Sequence, residues 1–371
     1  MAWTDDTLSR RTESLSLGPR SELIISIDFG TTFTGVAYTL SSNLTGSDIS
    51  RIAENIKVIK TWPSASQHYS EKTPTVIAYG TDPPSWGATV KRQDELQVSH
   101  FKLGLQPDLG RHYRRSQHLG LQGSNIPRSA LPFLDDVEWK HPNFPDKTAL
   151  DYCVDYLSCI HRFVKDEFLP RQFGAVFLRN QEISYVITVP AIWTDSAKEL
   201  TRQAAVGAGI PDHKLDLITE PEAAALYCAT LGAEVDLEEN DRFLVCDAGG
   251  GTVVEPSENG INLIQDLISY LVLSREPFSI EECTVGSGAA CGSMYLNKGF
   301  EALLRKKLGV QADSILTPRR LKAAMTYFES SIKCNFNPYD EACDLEYEVP
   351  LSGAMDIPEI GLDEGYLKLS R

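Results

Sequence analysis

The chain has 371 residues, 42% of them hydrophobic, and a formal net charge of −16 at pH 7. This length and apolar content predict a globular protein of two or more domains and exclude a disordered chain. The negative charge argues against nucleic acid or an anionic membrane as the main partner, because both require basic patches. Binding of an anionic nucleotide is not excluded by the net charge, since it depends on local loops and on a bound cation.

The N-terminal residues 1–21 are expected to form a disordered arm, because they are rich in Ser, Arg and Thr and lack an apolar core. They do not resemble a signal peptide, and no apolar run of about 20 residues predicts a membrane span. The eight cysteines lie in apolar segments without a Cys-x-x-Cys pair, which favours reduced, buried thiols. We therefore expect a cytoplasmic protein.

The first ordered segment runs from a strand into a polar turn. Residues 23–28 are rich in Ile and end in Asp28, and Gly30, Thr31 and Thr32 follow before extended character resumes at residue 35. This pattern predicts a hairpin. Glycine lets the backbone approach a ligand closely, so the N–H groups of the turn can bind a phosphate while Asp28 faces a metal ion.

The middle of the chain alternates helices and strands. Apolar residues recur with helical spacing over 149–168, and Pro170 is expected to end this helix. Glu220 stands between a predicted strand and a predicted helix, where α/β folds usually place site residues. The other predicted elements are a strand at 184–189, a helix that begins after Thr194 or Asp195 and ends at Gly209, and a strand at 215–219.

A second segment repeats the design of the first. After an acidic linker, the apolar run 242–247 ends in Asp247, and the glycine-rich stretch that follows contains Gly249, Gly250 and Thr252. For either loop alone, the alternative is a capped turn with no ligand. Further helices are predicted at 296–308 and 321–333, and the tail from Asn335 is acidic and rich in turn residues.

ATP hydrolysis needs phosphates held by backbone donors, a divalent cation held by carboxylates, often through water, and a polar group that orients the attacking water. Asp28, Glu220 and Asp247 follow three different predicted strands. If two repeated lobes face each other, these acids converge on one cleft.

Four motifs resemble those of the heat-shock protein 70 family, which belongs to the actin-like ATPase superfamily. They are IDFGTTF at 27–33, YVITVPAIWTD at 185–195, ITEPEAAA at 218–225 and DAGGGT at 247–252. The branch related to the twelfth heat-shock protein 70 subfamily is more similar still, on FKL at 101–103, CDAGGG at 246–251, and GSG at 286–288 with CGS at 291–293. The resemblance covers about residues 22–370.

This resemblance implies an actin-like ATPase fold of the α/β class, with two duplicated, ribonuclease H-like lobes that close on Mg-ATP. Lobe I would comprise residues 22–232, and residues 233–371 would form a partial lobe II. Asp28 and Asp247 would hold Mg²⁺ through water, and Glu220 would act near the cation and the attacking water. Phosphate contacts would come from Gly30, Thr31, Thr32 and Phe33 in the first lobe and from Gly249, Gly250 and Thr252 in the second.

Two further pairs are implied less specifically. Gly286 and Gly288 would form a glycine turn near the nucleotide, with a plain packing turn as the alternative. Glu329 and Lys333 would line the adenosine, and an exposed helical pair at i, i+4 is their alternative. The family also carries a catalytic lysine in the first lobe. Lys91 matches it only loosely, so a solvated lysine is expected there.

The chain departs from the family at two places. Residues 254–265 look like an insert directly after the second loop, where the next strand should begin. The family also continues beyond the end of this chain, so the second lobe is expected to be incomplete.

The leading prediction is therefore an ATP-binding, heat-shock protein 70-like ATPase with ATP or ADP as ligand, impaired by the insert. Client and co-chaperone proteins are the expected partner class. The alternatives are a non-catalytic nucleotide-sensing or interaction protein and an inactive gene-model fragment. A sugar or acetate kinase is disfavoured, because the Glu-Pro-Glu-Ala-Ala-Ala junction is chaperone-like.

Overall fold

The computed structural model describes residues 21–44, 54–64, 69–91, 96–106, 143–191, 193–230, 237–247, 266–275, 278–284, 287–288, 293–336 and 346–370. They separate into two compact units. The first unit contains the described residues within 21–106, 143–245 and 268–284, and the second contains 246–247, 266–267 and those within 287–370. Helices and strands occur in both, which confirms the α/β class.

A six-stranded sheet forms the centre of the first unit. The first nine described strands of the chain, which supply this sheet and a smaller one, are β1 (Leu23–Phe29), β2 (Phe33–Leu40), β3 (Lys57–Val58), β4 (Lys72–Pro74), β5 (Val76–Ala78), β6 (Ser85–Trp86), β7 (Gln97–Ser99), β8 (Ile183–Val189) and β9 (Leu215–Thr219). The central sheet has the order β3-β2-β1-β8-β9, and β4 also pairs with β2. β1 and β2 form the predicted antiparallel hairpin, whereas β1, β8 and β9 are parallel. A separate small sheet consists of β6, β5 and β7.

Helices pack against the central sheet. They are α1 (Ala149–Arg162), a π-helical turn (Phe163–Phe168), α2 (Leu169–Phe173), α3 (Ala175–Arg179), α4 (Asp195–Gly207) and α5 (Glu220–Thr230). Short 3₁₀ segments are Ser41–Leu44, Gly87–Thr89, Phe101–Leu105 and Asp212–Lys214. Alternate residues of β1 are fully buried, and the ring of Phe29 stacks on that of Tyr156 in α1, 6.0 Å between centroids. Burial of these apolar surfaces stabilises the unit.

Two sequence expectations for this unit need refinement. Pro170 does not end the helical segment, which continues to Phe173, because the wider π-helical turn Phe163–Phe168 directly before α2 leads the chain past the proline. Thr194, rather than Asp195, caps α4, since its hydroxyl accepts from the N–H of Ala197 at 3.3 Å.

A second, four-stranded sheet contains the strand that ends in Asp247. Its members are β10 (Arg242–Asp247), β11 (Asp266–Arg275), β12 (Phe278–Glu282) and β13 (Ser287–Gly288). The order is β10-β11-β12, with β13 paired to β11. Ile268 and Tyr270 are buried beside Ala225 of α5.

The second unit combines helices with a small antiparallel sheet. Its elements are α6 (Ser293–Leu308), the 3₁₀ turn Gly309–Gln311, α7 (Ala312–Ile315), α8 (Pro318–Tyr327), the π-helical turn Phe328–Ile332, β14 (Glu346–Pro350), the 3₁₀ turn Pro358–Ile360, β15 (Leu362–Asp363) and β16 (Tyr366–Ser370). The strands have the order β14-β16-β15. The expectation of a mainly turn-rich tail is therefore wrong for this part of it. The acidic residues occupy the exposed positions of β14, while Val349 and Leu367 are fully buried.

The described residues bear on the expectations for membrane spans and for cysteines. No helix among the described residues has the length and apolar character to cross a membrane. Cys153 and Cys159 are free and buried, as expected. The expectation of burial is wrong for Cys228, Cys246, Cys283 and Cys334, which are free but exposed: Cys228 and Cys246 lie on the outer sides of α5 and β10, and Cys283 and Cys334 lie beyond the ends of β12 and of the Phe328–Ile332 turn.

Candidate functional site

Asp28 lies at the carboxyl end of β1 with both carboxylate oxygens engaged. The hydroxyl of Thr188 in β8 donates to Oδ1 at 3.1 Å. The ammonium of Lys72 in β4 donates to Oδ2 at 2.5 Å. The Asp28 side chain is still 38% exposed, so a ligand can reach it.

The turn after Asp28 is held by one threonine. Thr75 donates its backbone N–H to the carbonyl of Thr32 at 2.8 Å and its hydroxyl to the carbonyl of Gly30 at 2.8 Å. A Cβ on Gly30 would lie 2.3 Å from the carbonyl oxygen of Phe33, so only glycine fits this position. Thr31 is half-buried and Phe33 is exposed. The turn is thus a fixed, partly accessible stretch of backbone, as a phosphate loop requires.

Glu220 stands at the first position of α5, directly after β9, and pairs with a buried lysine. Its Oε1 accepts from Nζ of Lys102 at 2.7 Å, and the Lys102 side chain is 1% exposed. The ammonium also lies 5.6 Å from the ring centroid of Phe29 and 5.1 Å from that of Trp193. A buried ammonium is stable only when it is paired in this way.

The structure brings Asp28 and Glu220 to one edge of one sheet. β1, β8 and β9 are parallel, so the residues at their carboxyl ends share an edge, and this is where α/β sheets bind ligands. Phe29, which follows Asp28, contacts the ammonium that pairs with Glu220. Asp28 and Glu220, two of the three acids expected to converge on one cleft, thus follow parallel strands of the same sheet.

Sequence reasoning assigned no role to either lysine of this edge, although Lys102 belongs to the FKL motif at 101–103. Lys91, which it considered, is exposed. Lys102 stands between buried Phe101 and Leu103, and a lysine within an apolar segment was the signal that could have identified it. Lys72 carries no comparable signal, because its contact depends on strand register.

The predicted residues of the second loop lie mostly outside the described residues. This holds for Gly249, Gly250, Thr252, the insert at 254–265 and Gly286. Asp247 ends β10 as predicted, and Gly288 lies in β13, paired with Asp266 of β11.

Glu329 and Lys333 meet through a third residue. The amide of Asn297 in α6 donates to Oε1 of Glu329 at 2.7 Å and accepts from Nζ of Lys333 at 2.9 Å. Burial lowers the pKa of Lys333, and the charge of Glu329 opposes that effect. The two side chains are thus part of an ordered network rather than a simple exposed i, i+4 pair.

The described residues offer a single carboxylate, that of Asp28, in a position suited to a hydrated Mg²⁺ at the predicted phosphate turn. They contain no group of three His, Cys, Asp or Glu side chains that could hold a metal ion. Mg²⁺ usually keeps several waters and takes only one or two carboxylates together with phosphate oxygens. The partly exposed carboxylate of Asp28 fits that role.

No protein-family model matches the chain, but curated relatives do. It is 26% identical to heat shock 70 kDa protein 12A of Homo sapiens over 83% of this chain and 49% of that protein. It is 22% identical to heat shock 70 kDa protein 12B of Homo sapiens over 81% of this chain and 47% of that protein. It is 28% identical to chaperone protein DnaK 3 of a Synechococcus species over 49% of this chain and 25% of that protein.

The chain spans about half the length of the first two relatives. Together these proteins confirm the resemblance to the heat-shock protein 70 family and its twelfth subfamily that the motifs predicted.

Proposed function

We propose that this chain, a relative of the heat-shock protein 70 family, binds ATP with Mg²⁺ on an actin-like ATPase fold with duplicated, ribonuclease H-like lobes. The observation that carries the proposal is the buried Lys102–Glu220 pair at the same sheet edge as Asp28. A fixed ammonium, a fixed carboxylate and a phosphate-type turn at one edge are the parts that phosphoryl transfer needs from a protein.

The proposed roles follow from the contacts of each side chain. Lys102 would stabilise negative charge on the phosphates, because its ammonium is already desolvated and held by Glu220. Glu220 would accept a hydrogen bond from the attacking water and so orient it. Mg²⁺, held through water by Asp28 and Asp247, would neutralise charge on the phosphate oxygens.

The remaining proposed contacts come from the motif resemblance. In the first unit, the turn residues Gly30, Thr31, Thr32 and Phe33 would contact phosphate through their backbone and hydroxyl groups. For the second unit we propose nucleotide contacts by Gly249, Gly250, Thr252, Gly286 and Gly288, and adenosine contacts by Glu329 and Lys333.

Calorimetric titration of ATP with Mg²⁺ into the wild-type chain, Lys102→Met and Lys91→Met tests the proposal. We expect wild-type binding, a loss of about tenfold or more in affinity for Lys102→Met, and no change for the exposed control Lys91→Met. Absence of ATP binding by the wild-type chain, or equal affinity for Lys102→Met, would contradict the proposed site.

ATP hydrolysis requires a separate test from ATP binding. A single-turnover measurement with radiolabelled ATP should show phosphate release that Glu220→Gln reduces while ATP affinity is largely kept. Binding without release would favour the non-catalytic nucleotide sensor. A chain lacking residues 254–265 should then be assayed, since recovered release would show that the insert impairs the site.

A chaperone-like role in the cytoplasm completes the proposal. The relatives include a protein named as a chaperone, and we propose that the nucleotide state governs binding of client or co-chaperone proteins. Cross-linking in cell extract with ATP or ADP added should capture different partners in the two states.

A further inference from the structure

We propose that the Lys72 ammonium competes with a divalent metal for the Asp28 carboxylate, so that Mg²⁺ binds there more weakly than at an unpaired carboxylate and phosphate binding beside it depends less on Mg²⁺. The statement about the metal rests on the geometry of Asp28 alone. The statement about phosphate rests on the proposed function as well.

The pairing follows from strand register. Asp28 of β1 is opposite Gly35 of β2, and Gly35 is opposite Lys72 of β4. Three neighbouring strands therefore place an acid, a glycine and a lysine in one row across the sheet. Residues in one row project to the same face, so the lysine and the acid lie on one side with only the glycine between them.

The glycine leaves room for the lysine stem. A Cβ on Gly35 would lie 3.4 Å from Cγ and 3.6 Å from Cε of Lys72. The aliphatic stem of Lys72 thus lies directly over the glycine and carries the ammonium across β2 to Oδ2 of Asp28. Adjacent strands are about 4.8 Å apart, so the row spans two strand spacings, which a lysine side chain can bridge when nothing stands between.

Both ends of the pair are fixed by their neighbours. Next to Lys72, Thr73 is 1% exposed and accepts a hydrogen bond from the N–H of Ala88 at 3.3 Å. Pro74 accepts one from the hydroxyl of Tyr156 at 3.0 Å. The opposite oxygen of Asp28 is held by Thr188. The ammonium and the carboxylate are therefore positioned by the sheet.

The charges give the direction of the effect. A divalent cation at Asp28 would share the carboxylate with the Lys72 ammonium, whose Nζ lies 2.5 Å from Oδ2. Two positive charges that contact the same carboxylate repel each other. An anionic phosphate in the adjacent turn would meet a positive charge that is already in place. The Lys72 side chain is 53% exposed, so solvent moderates both effects without removing them.

Binding of Mn²⁺ in the absence of nucleotide, followed by electron paramagnetic resonance, tests the inference independently of any ATP site. Removing the ammonium in Lys72→Met should raise Mn²⁺ affinity by about tenfold or more. Adding Asp28→Asn to Lys72→Met should abolish the gain, because the ligand is then lost. Lys72→Arg keeps the charge and should bind Mn²⁺ as weakly as wild type.

Lys60→Met is the matched control. Lys60 is exposed and pairs with Glu71, the residue before Lys72, at 2.8 Å. It should leave Mn²⁺ binding unchanged. Equal Mn²⁺ affinity of wild type and Lys72→Met, or a gain that survives Asp28→Asn, would overturn the inference.

ATP titrations with excess EDTA and with Mg²⁺ then test how far ATP affinity depends on Mg²⁺ in each protein. Wild type should lose less than about tenfold in affinity when Mg²⁺ is removed, and Lys72→Met should lose more. If ATP binds to neither protein while the Mn²⁺ result holds, the proposed function fails and the metal statement stands. If ATP binds and the loss is equal for both, the phosphate statement fails instead.

Discussion

The ammonium of Lys102 is almost completely removed from water, so burying its charge costs free energy that its neighbours must offset. Its stability depends on the Glu220 carboxylate and on the faces of Phe29 and Trp193. Removing one member of a buried pair leaves an uncompensated charge, whereas removing both does not.

Glu220→Ala is therefore expected to lower the free energy of unfolding of the first unit by about 3 kcal/mol. Lys102→Met should cost less, since methionine keeps an unbranched apolar side chain and removes the charge. The double variant Lys102→Met/Glu220→Ala should be more stable than Glu220→Ala alone. Urea denaturation followed by tryptophan fluorescence measures these differences, with Lys91→Met as the control. Equal effects of Glu220→Ala and Lys91→Met would contradict a buried pair.

At this scale the sequence predicted the acids and not their partners. Asp28 and Glu220 each follow an apolar run, so local pattern alone places them at strand ends. Lys102 follows a turn in which His100 has a φ of 60°, and Lys72 reaches Asp28 across another strand. The apolar neighbours of Lys102 were a local signal for its burial but not for its pairing with Glu220, and the contact of Lys72 depends on strand register, so neither pairing could be inferred from local spacing.

In the turn between β1 and β2, a single added methyl group is expected to disturb the backbone. Gly30→Ala places a Cβ 2.3 Å from the carbonyl oxygen of Phe33, so the backbone must shift. We expect a loss of about 2 kcal/mol in the stability of the first unit, measured by thermal denaturation.

Gly299→Ala offers the opposite outcome for the same chemical change. Gly299 lies inside α6, and a Cβ there would meet nothing within 4 Å. Alanine is the better helix former, so the substitution should stabilise the second unit by about 0.5–1 kcal/mol. Similar shifts for both alanine variants would show that the crowding at Gly30 is not real.

His161 connects three elements in a way that depends on pH. Its Nδ1 donates to the carbonyl of Ala208 after α4 at 3.1 Å, so Nε2 of the neutral ring accepts from the hydroxyl of Tyr185 in β8 at 3.0 Å. Burial lowers the pKa of His161, and burial raises the pKa of Tyr185 to about 12. The folded chain thus holds the imidazole in its neutral form.

Because the folded pKa of His161 lies below its ordinary value of 6.5, the unfolded chain binds more protons as the pH falls through that value. The contribution of His161 to stability is present above about pH 6.5 and is lost below it. Urea denaturation between pH 7.5 and 5.5 should show this loss. His161→Gln should reduce the pH slope, while His213→Gln, at an exposed position, should leave it unchanged.

The sequence predicted most elements of the first unit because their periodicity is local. The strand at 215–219 and the start of α1 at Ala149 agree with the structure. The π-helical turn at Phe163–Phe168 was not predicted, since its apolar residues also fit an ordinary helix. Its wider turn carries the chain into α2 without a break at Pro170.

Across the whole molecule, the residue pattern predicted the α/β class but not which strands pair with each other. β1 lies between β2, its neighbour in the chain, and β8, which begins at Ile183, and nothing in either strand specifies that parallel partner. The sheet formed by β14, β15 and β16 was missed for a related reason. Its strands are short, and their exposed positions are polar or charged, acidic in β14 and β15, so they resemble surface turns until their buried faces are seen together.

The row formed by Asp28, Gly35 and Lys72 has a consequence for how this sheet can evolve. A Cβ at position 35 would meet the Lys72 stem at 3.4 and 3.6 Å, which is ordinary van der Waals contact, so alanine is compatible with the pair. A bulkier side chain would reach into the space that the stem occupies, so the size of residue 35 and the presence of Lys72 are expected to be coupled in inheritance.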